Sequence, residues 1–319
     1  LLPLYLALKI EMKMGVNFEH SQGKRRRATM TKMSNNIDTE TRQAQMEKQD
    51  REITETLRHI KNKILVMSGK GGVGKSSVAA YLSVALAKRG YRVGLMDVDL
   101  HGPSIPRILG LSGNLGFGGR EGKMLPVKYL PNMEVISIEI LLGENKDTAT
   151  IWRGPLKIGA IKQFISDIEW ADLDYLVIDS PPGTGDEPLT VAQTISDAKA
   201  LIVTTPQEVS LADVRKSINF CRQVKMEILG LVENMSGLTC PYCGKIIDVF
   251  KARGGQETAL KENLRLLATL PLELEVVKEG DVGDISLLDK KELLITQEFN
   301  KMVDEIVNLT NKSSASPAN

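Results

Sequence analysis

Cysteine, histidine and aromatic residues are scarce in this chain, and neither sign of charge is in excess. Three Cys in 319 residues cannot build a disulfide framework, which excludes the small cross-linked scaffolds of oxidising compartments. Two of the three, Cys240 and Cys243, form a C-x-x-C. In a reducing compartment that spacing points to metal or redox chemistry, and the expected location is cytoplasmic. Against 41 Lys+Arg stand 40 Asp+Glu, a formal net charge of +1. Without a global field to attract them, neither nucleic acid nor a membrane is expected as a partner, and any bound anion needs a local site. Long hydrophobic runs are also missing. The apolar opening from Leu1 to Ile10 is about half the roughly 20 residues that a bilayer-crossing helix requires. The basic run Lys24-Arg25-Arg26-Arg27 follows that opening, whereas a signal peptide has its basic residues first.

What is present, 42% hydrophobic and 25% charged residues, describes an ordinary globular protein. Residues 1–38 are expected to be a disordered leader whose basic run is simply solvated. Residues 39–62 are polar, with Met46, Ile53, Leu57 and Ile60 at helical spacing, and predict a peripheral helix. Residues 63–311 form the predicted single domain, followed by a polar tail at 312–319. Within the domain strands alternate with helices. Strands are predicted at Lys63–Ser68, Tyr91–Asp97, Glu134–Ile138, Tyr175–Asp179, Ala200–Thr204, Ile228–Glu233 and Arg265–Leu270, and a helix at Lys75–Arg89, closed by Gly90. Runs such as Tyr175-Leu176-Val177-Ile178 are apolar at every position, as in strands buried on both faces of a mostly parallel sheet. The expected fold class is therefore α/β, a doubly wound single domain.

Such sheets bind ligands beyond the carboxyl ends of their strands, where the distinctive residues of this sequence fall. Gly69-Lys70-Gly71-Gly72-Val73-Gly74-Lys75-Ser76 matches G-x-x-x-x-G-K-[ST] between a strand and a helix, the phosphate-binding P-loop. Its glycines let successive backbone N–H groups face the phosphates, Lys75 is expected to reach the β- and γ-phosphates, and the Ser76 hydroxyl to ligand Mg²⁺. Ser77 is expected to continue the binding loop into the helix. Asp97 and Asp179, each closing a strand, are expected to hold Mg²⁺ through water. Asp99 is placed to orient or deprotonate an attacking water, or alternatively to act as a turn residue ahead of Gly102-Pro103. Pro271 follows the last strand and is a further candidate for the nucleotide site.

Lys70, at the second position of the loop, makes the motif specific: it resembles the deviant Walker A sequence of the MinD/ParA group of P-loop ATPases. Within that group, three segments resemble the Mrp/ApbC family of iron–sulfur cluster carriers. They are Asp97-Val98-Asp99-Leu100-His101-Gly102-Pro103-Ser104-Ile105-Pro106, Asp179-Ser180-Pro181-Pro182-Gly183-Thr184-Gly185-Asp186 and Cys240-Pro241-Tyr242-Cys243-Gly244. The likeness spans roughly residues 60–310, with the segments in the family's order. It implies that Lys70 reaches the nucleotide of a partner subunit, that Asp99 belongs to switch I, that Asp179 opens switch II, and that Asn234, in Val232-Glu233-Asn234-Met235-Ser236, reads adenine. Asn234 as a local turn residue is the alternative.

Two cysteines are half a site, because structural zinc and 4Fe-4S clusters both take four ligands. Cys221 is a poor third, and His59 and His101 offer no completing spacing. A twofold axis near the loop would bring Cys240 and Cys243 of two copies together, which makes a homodimer the expected assembly. Soft thiolates suit zinc and iron–sulfur alike. The resemblance favours a bridging 4Fe-4S cluster, with apo iron–sulfur proteins as its recipients and ATP hydrolysis controlling delivery. Residues 1–60 hold no cysteine, so the second, N-terminal cluster motif of some relatives is not implied. Two other readings compete. One is a MinD/ParA-like positioning ATPase with a structural zinc. It needs a basic amphipathic tail or a basic surface, whereas the stripe Ile295, Phe299, Met302, Val303, Ile306 and Val307 has an acidic to neutral opposite face, so a core-docked last helix is expected. The other is a metabolic ATP-dependent transferase, which leaves the cysteine pair unexplained.

Overall fold

Apolar strands that bury both faces, alternating with helices, assemble as the pattern requires. The computed structural model describes residues 28–100, 102–111, 116–117, 119, 122–142, 154–248, 254–276 and 283–314. A long helix α1 (Ala28–Arg58) leads into β1 (Ile60–Ser68), α2 (Lys75–Lys88), β2 (Val93–Asp97) and the short α3 (Ile105–Ile108). A small ribbon of β3 (Gly116–Phe117) and β4 (Met124–Leu125) precedes β5 (Val127–Leu130), β6 (Met133–Ser137), α4 (Ile138–Leu142) and α5 (Gly154–Ser166). Then come β7 (Leu173–Asp179), α6 (Asp186–Thr194), β8 (Lys199–Thr204), α7 (Glu208–Gln223) and β9 (Ile228–Glu233). A second ribbon, β10 (Leu238–Thr239) with β11 (Ile246–Ile247), is followed by α8 (Gly254–Lys261), β12 (Leu266–Thr269), a 3-10 turn (Ser286–Asp289) and α9 (Leu294–Ser314).

The eight-stranded sheet has the order β12-β9-β8-β1-β7-β2-β6-β5. Every neighbouring pair is parallel except β5–β6. Alternate side chains of the central strands enter two cores. Ile64, Val66, Leu95, Val177 and Val203 pack with α2 and α9, while Leu65, Met67, Met96, Ile178 and Ile202 pack with α5 and α7. The last helix docks by its stripe, since Ile295, Phe299, Met302, Val303 and Ile306 are buried and Phe299 meets Tyr81 edge to face at 6.2 Å. Among the described residues no helix is long and apolar enough to cross a membrane.

Several boundaries differ from the sequence expectation. The peripheral helix spans Ala28–Arg58 instead of 39–62, and so begins inside the stretch expected to be a disordered leader; residues 1–27 of that leader lie outside the described residues. Ile60 continues the helical spacing of Ile53 and Leu57, yet it pairs with Leu173 and starts β1, because strand pairing with β7 buries it equally well. Ile138 opens α4 instead of closing β6, and α9 runs to Ser314, past the expected start of a polar tail. The two short ribbons were not expected, because two-residue strands carry no periodic signal.

Candidate functional site

The P-loop lies between β1 and α2, with Gly72 and Gly74 in left-handed backbone at φ 77° and 78°. Gly69 is required by space: a Cβ there would lie 2.3 Å from the backbone carbonyl carbon of Asp213 on α7. α2 then starts at Lys75, with the Val78 N–H donating to the Gly74 carbonyl at 3.0 Å. Its first-turn N–H groups have no intrahelical partner, which makes the end of the loop an anion site.

Parallel register sets the acids beside that loop. Val66 of β1 and Asp97 of β2 both lie opposite Asp179 of β7. Asp97 and Asp179 are fully buried. Lys75 donates from Nζ to Asp179 Oδ1 at 2.6 Å and to Ser76 Oγ at 3.1 Å. Ser137 donates to Asp97 Oδ2 and the Asp99 N–H to Asp97 Oδ1, both at 3.1 Å. Burial first, then the charge of Asp179, pushes the Asp97 carboxyl well above its ordinary range, although Lys75 pulls the other way. Burial also raises Asp179 against the opposing pull of Lys75. Asp179 Oδ2 is buried without a hydrogen-bond partner among the described residues. A hydroxyl and two buried carboxylates, one of them with an orphaned oxygen, make a hard-oxygen set that fits Mg²⁺.

Asp99 shows its turn role, accepting the Gly102 N–H at 3.1 Å, while its charge also acts on Asp179. The loop after β7 is tied to the P-loop strand: Ser180 Oγ donates to the Val66 carbonyl at 2.9 Å, and the Gly183 N–H to the Ser68 carbonyl at 2.8 Å. Lys70 leans to α7, with Nζ donating to Gln207 Oε1 at 3.0 Å.

Beside the loop opens a cleft of about 270 Å³, lined among others by Gly74, Ser77, Tyr81, Asn234, Pro271 and Phe299. Its mostly apolar walls with one amide suit a planar base. Asn234 is held there by its own N–H to the Thr204 carbonyl at 2.8 Å and by Nδ2 to the Val73 carbonyl at 2.9 Å. The strand ends singled out from sequence, at Ser68, Asp97, Asp179, Glu233 and Leu270, thus meet around one crevice. Sequence reasoning missed Gln207, Ser137 and the walls Tyr81 and Phe299. Ser137 alone had a visible signal, a hydroxyl closing a strand; Tyr81 and Phe299 are ordinary helix residues until the helices are docked, and Gln207 is an ordinary loop residue just ahead of α7.

The cysteine pair sits on the tip between β10 and β11. The Cys240 N–H donates to the Lys245 carbonyl and the Gly244 N–H to the Cys240 carbonyl, both at 2.9 Å, with Gly244 at φ 70°. The backbone N–H groups of Tyr242 and Cys243, then the Cys243 thiol, hold the Cys240 thiol below its ordinary range, and Cys243 is exposed. Cys221 is buried on α7 with Sγ 3.7 Å from Met67 Sδ, and burial pushes its thiol up to about 12. It is a core residue, not a ligand in reserve. Among the described residues no group of three or more His, Cys, Asp or Glu could hold a metal ion, so these residues give the pair no third ligand; His101 lies outside the described residues. Around it Tyr242, 96% exposed, and half-exposed Ile246 and Ile247 present apolar surface.

Comparison with known proteins agrees with this arrangement. A ParA-type family model described as NUBPL iron-transfer P-loop NTPase matches residues 59–307. An iron-sulfur cluster carrier protein of Methanocaldococcus jannaschii is 46% identical over 261 residues, covering 81% of this chain and 88% of the relative. The cytosolic Fe-S cluster assembly factor CFD1 of Eremothecium gossypii is 48% identical over 227 residues, covering 69% and 80%. Among solved structures, a nucleotide-binding protein of Archaeoglobus fulgidus in complex with ADP superposes with a TM-score of 0.65 at 40% identity, over 74% of this chain and 92% of that one. The cell division ATPase MinD of Pyrococcus furiosus gives 0.57 at 26% identity, over 78% and 99%. With its P-loop, its paired strand-end acids and a match across most of its length, the chain belongs to the NUBPL iron-transfer family of ParA-type P-loop NTPases.

Proposed function

We propose that this chain is an ATP-hydrolysing iron–sulfur cluster carrier that works in the cytoplasm. Two copies hold a bridging 4Fe-4S cluster between their C-x-x-C loops and transfer it to apo iron–sulfur proteins. The observation that carries this reading is a surface thiol pair, Cys243 exposed and the Cys240 thiol held below its ordinary range, with no third ligand among the described residues and ringed by Tyr242, Ile246 and Ile247. A second copy related by a twofold axis supplies the missing pair and covers the apolar rim.

At the nucleotide end, the loop from Gly69 to Ser77 cradles the phosphates by backbone N–H groups, and Asn234 and Pro271 flank the base. Mg²⁺ would be held by Ser76 and, through water, by Asp97 and Asp179; it supplies charge neutralisation to the phosphates. Phosphate competes with Asp179 for the Lys75 ammonium, which gives the loop opened by Asp179 a way to respond to nucleotide. Asp99 orients the attacking water. Lys70, which lies against Gln207 here, completes the partner's site, so hydrolysis is slow until two copies meet.

Anaerobic reconstitution with iron and sulfide tests the reading, scored for metal content, absorbance and mass with and without ATP. About two irons per chain in a brown dimer is the expected result. A monomer without iron, or a colourless protein holding zinc, would overturn it.

A further inference from the structure

The nucleotide cleft and the cysteine tip share one short piece of backbone. Pro271 and Leu272 line the cleft. Leu272 also forms a parallel bridge to Leu238, its N–H donating to the Gly237 carbonyl at 2.8 Å while its carbonyl accepts the Thr239 N–H at 3.0 Å. The next residue, Glu273, is 3% exposed and joins three parts of the molecule. Its Oε1 accepts the backbone N–H of Ile295 at 3.3 Å, in the first turn of α9, and the hydroxyl of Thr239 at 3.5 Å. Ile295, Thr296 and Phe299 of α9 wall the nucleotide cleft, and Thr239 immediately precedes Cys240. The other oxygen, Oε2, is buried with no hydrogen-bond partner among the described residues, and the side chain borders a second cavity of about 350 Å³ that Cys240 and Tyr242 also line.

A buried carboxylate with one oxygen unsatisfied costs stability, and an apolar residue packed against α9 would avoid that cost. We propose that Glu273 is a positioning residue: it couples occupancy of the base cleft to the geometry of the Cys240–Cys243 loop, through α9 on one side and Thr239 on the other. This rests on the reading of the cleft as the nucleotide site and of the loop as the cluster site. A base entering the cleft presses on Pro271 and Leu272, which lead directly into Glu273, and on the first turn of α9, whose Ile295 N–H Glu273 caps. Displacement of that carboxylate is passed to Thr239 and so to the first thiol. Because binding linkage is reciprocal, metal on the thiols must change nucleotide affinity by the same factor.

The test is the alkylation rate of the apo chain by iodoacetamide with and without Mg·ADP. Cys221, buried and with its thiol raised to about 12, stays silent, so the signal belongs to the surface pair. In the unmodified chain saturating Mg·ADP is expected to change the rate about fivefold or more. Glu273→Ala should bring that ratio close to one while the ADP dissociation constant and the circular dichroism spectrum are retained. Glu273→Gln, which keeps an acceptor at Oε1, should preserve most of the ratio. Thr239→Val removes only the hydroxyl contact and should lower it, which covers the case of an alanine variant that does not fold. An unmodified chain whose rate ignores ADP, or Glu273→Ala and Thr239→Val variants that both keep the full ratio, would overturn the proposal. A chain that takes up no iron, yet whose alkylation responds to ADP through Glu273, sinks the carrier reading and leaves this coupling intact.

Discussion

Lys75 and Asp179 form a buried ion pair at 2.6 Å, the lysine 7% and the aspartate 0% exposed. The ammonium that the P-loop offers to phosphate is held by the first residue of the loop expected to respond to phosphate. Removing it acts on two properties at once.

Lys75→Ala is expected to abolish tight ATP binding, measured by calorimetry, and to destabilise the chain by up to about 3–5 kcal/mol, since a buried carboxylate loses its counter-charge. Adding Asp179→Asn should restore most of the stability and none of the affinity. Unchanged ATP affinity in Lys75→Ala would remove the phosphate-site assignment.

Asp97 predicts a pH dependence of defined sign. Its folded carboxyl is raised by burial and by Asp179, so the folded chain holds its proton more tightly than the unfolded chain. The associated stability is fully present below the ordinary carboxylate range and is lost as pH rises through the raised folded value. Asp97→Asn should therefore raise the melting temperature of the nucleotide-free chain at neutral pH, with the gain disappearing toward about pH 4. The same variant should lose Mg²⁺-dependent hydrolysis. A melting temperature that falls at neutral pH would contradict the sign.

Cys240→Ala should leave folding and ATP binding within about twofold of the parent and lose the reconstituted metal centre, because one thiolate per copy cannot complete four ligands. Cys221→Ala should keep the full iron content, at a cost in stability of about 1 kcal/mol from the small cavity left against Met67. Equal iron and equal brown absorbance in Cys240→Ala and the parent would rule out the bridging cluster.

Gly69→Ala drives a methyl group into the backbone of Asp213, which no side-chain rotation relieves. Denaturant unfolding should show a loss of about 1–3 kcal/mol, and ADP affinity should fall as the loop is displaced from α7. A variant with parental stability would contradict the close approach of Gly69 to the Asp213 backbone.

The strand–loop–helix context of the P-loop, the acids that close β2 and β7 and the buried parallel sheet were all legible in the residues. Each rests on a local rule: period, cap, turn chemistry or motif spacing. The resemblance of Lys70, the Asp179 loop and the C-x-x-C to a carrier family pointed the same way as the family match. Boundaries were less legible. Ile60 satisfies helical and strand periodicity equally, and only pairing with Leu173 decides between them.

Sequence by itself determined which chemistry this chain carries, because a glycine loop ending in Lys-Ser, acids at strand ends and two thiols separated by two residues are covalent facts of the order of residues. Tertiary structure alone decided what those groups meet. Lys75 on Asp179, Lys70 on Gln207, Cys221 in the core and Glu273 between α9 and Thr239 are all pairings of residues distant in sequence. The physical reason is that hydrogen bonds and ion pairs act over about 3 Å of space. Strand order and helix docking bring such partners together, and no spacing along the chain encodes them.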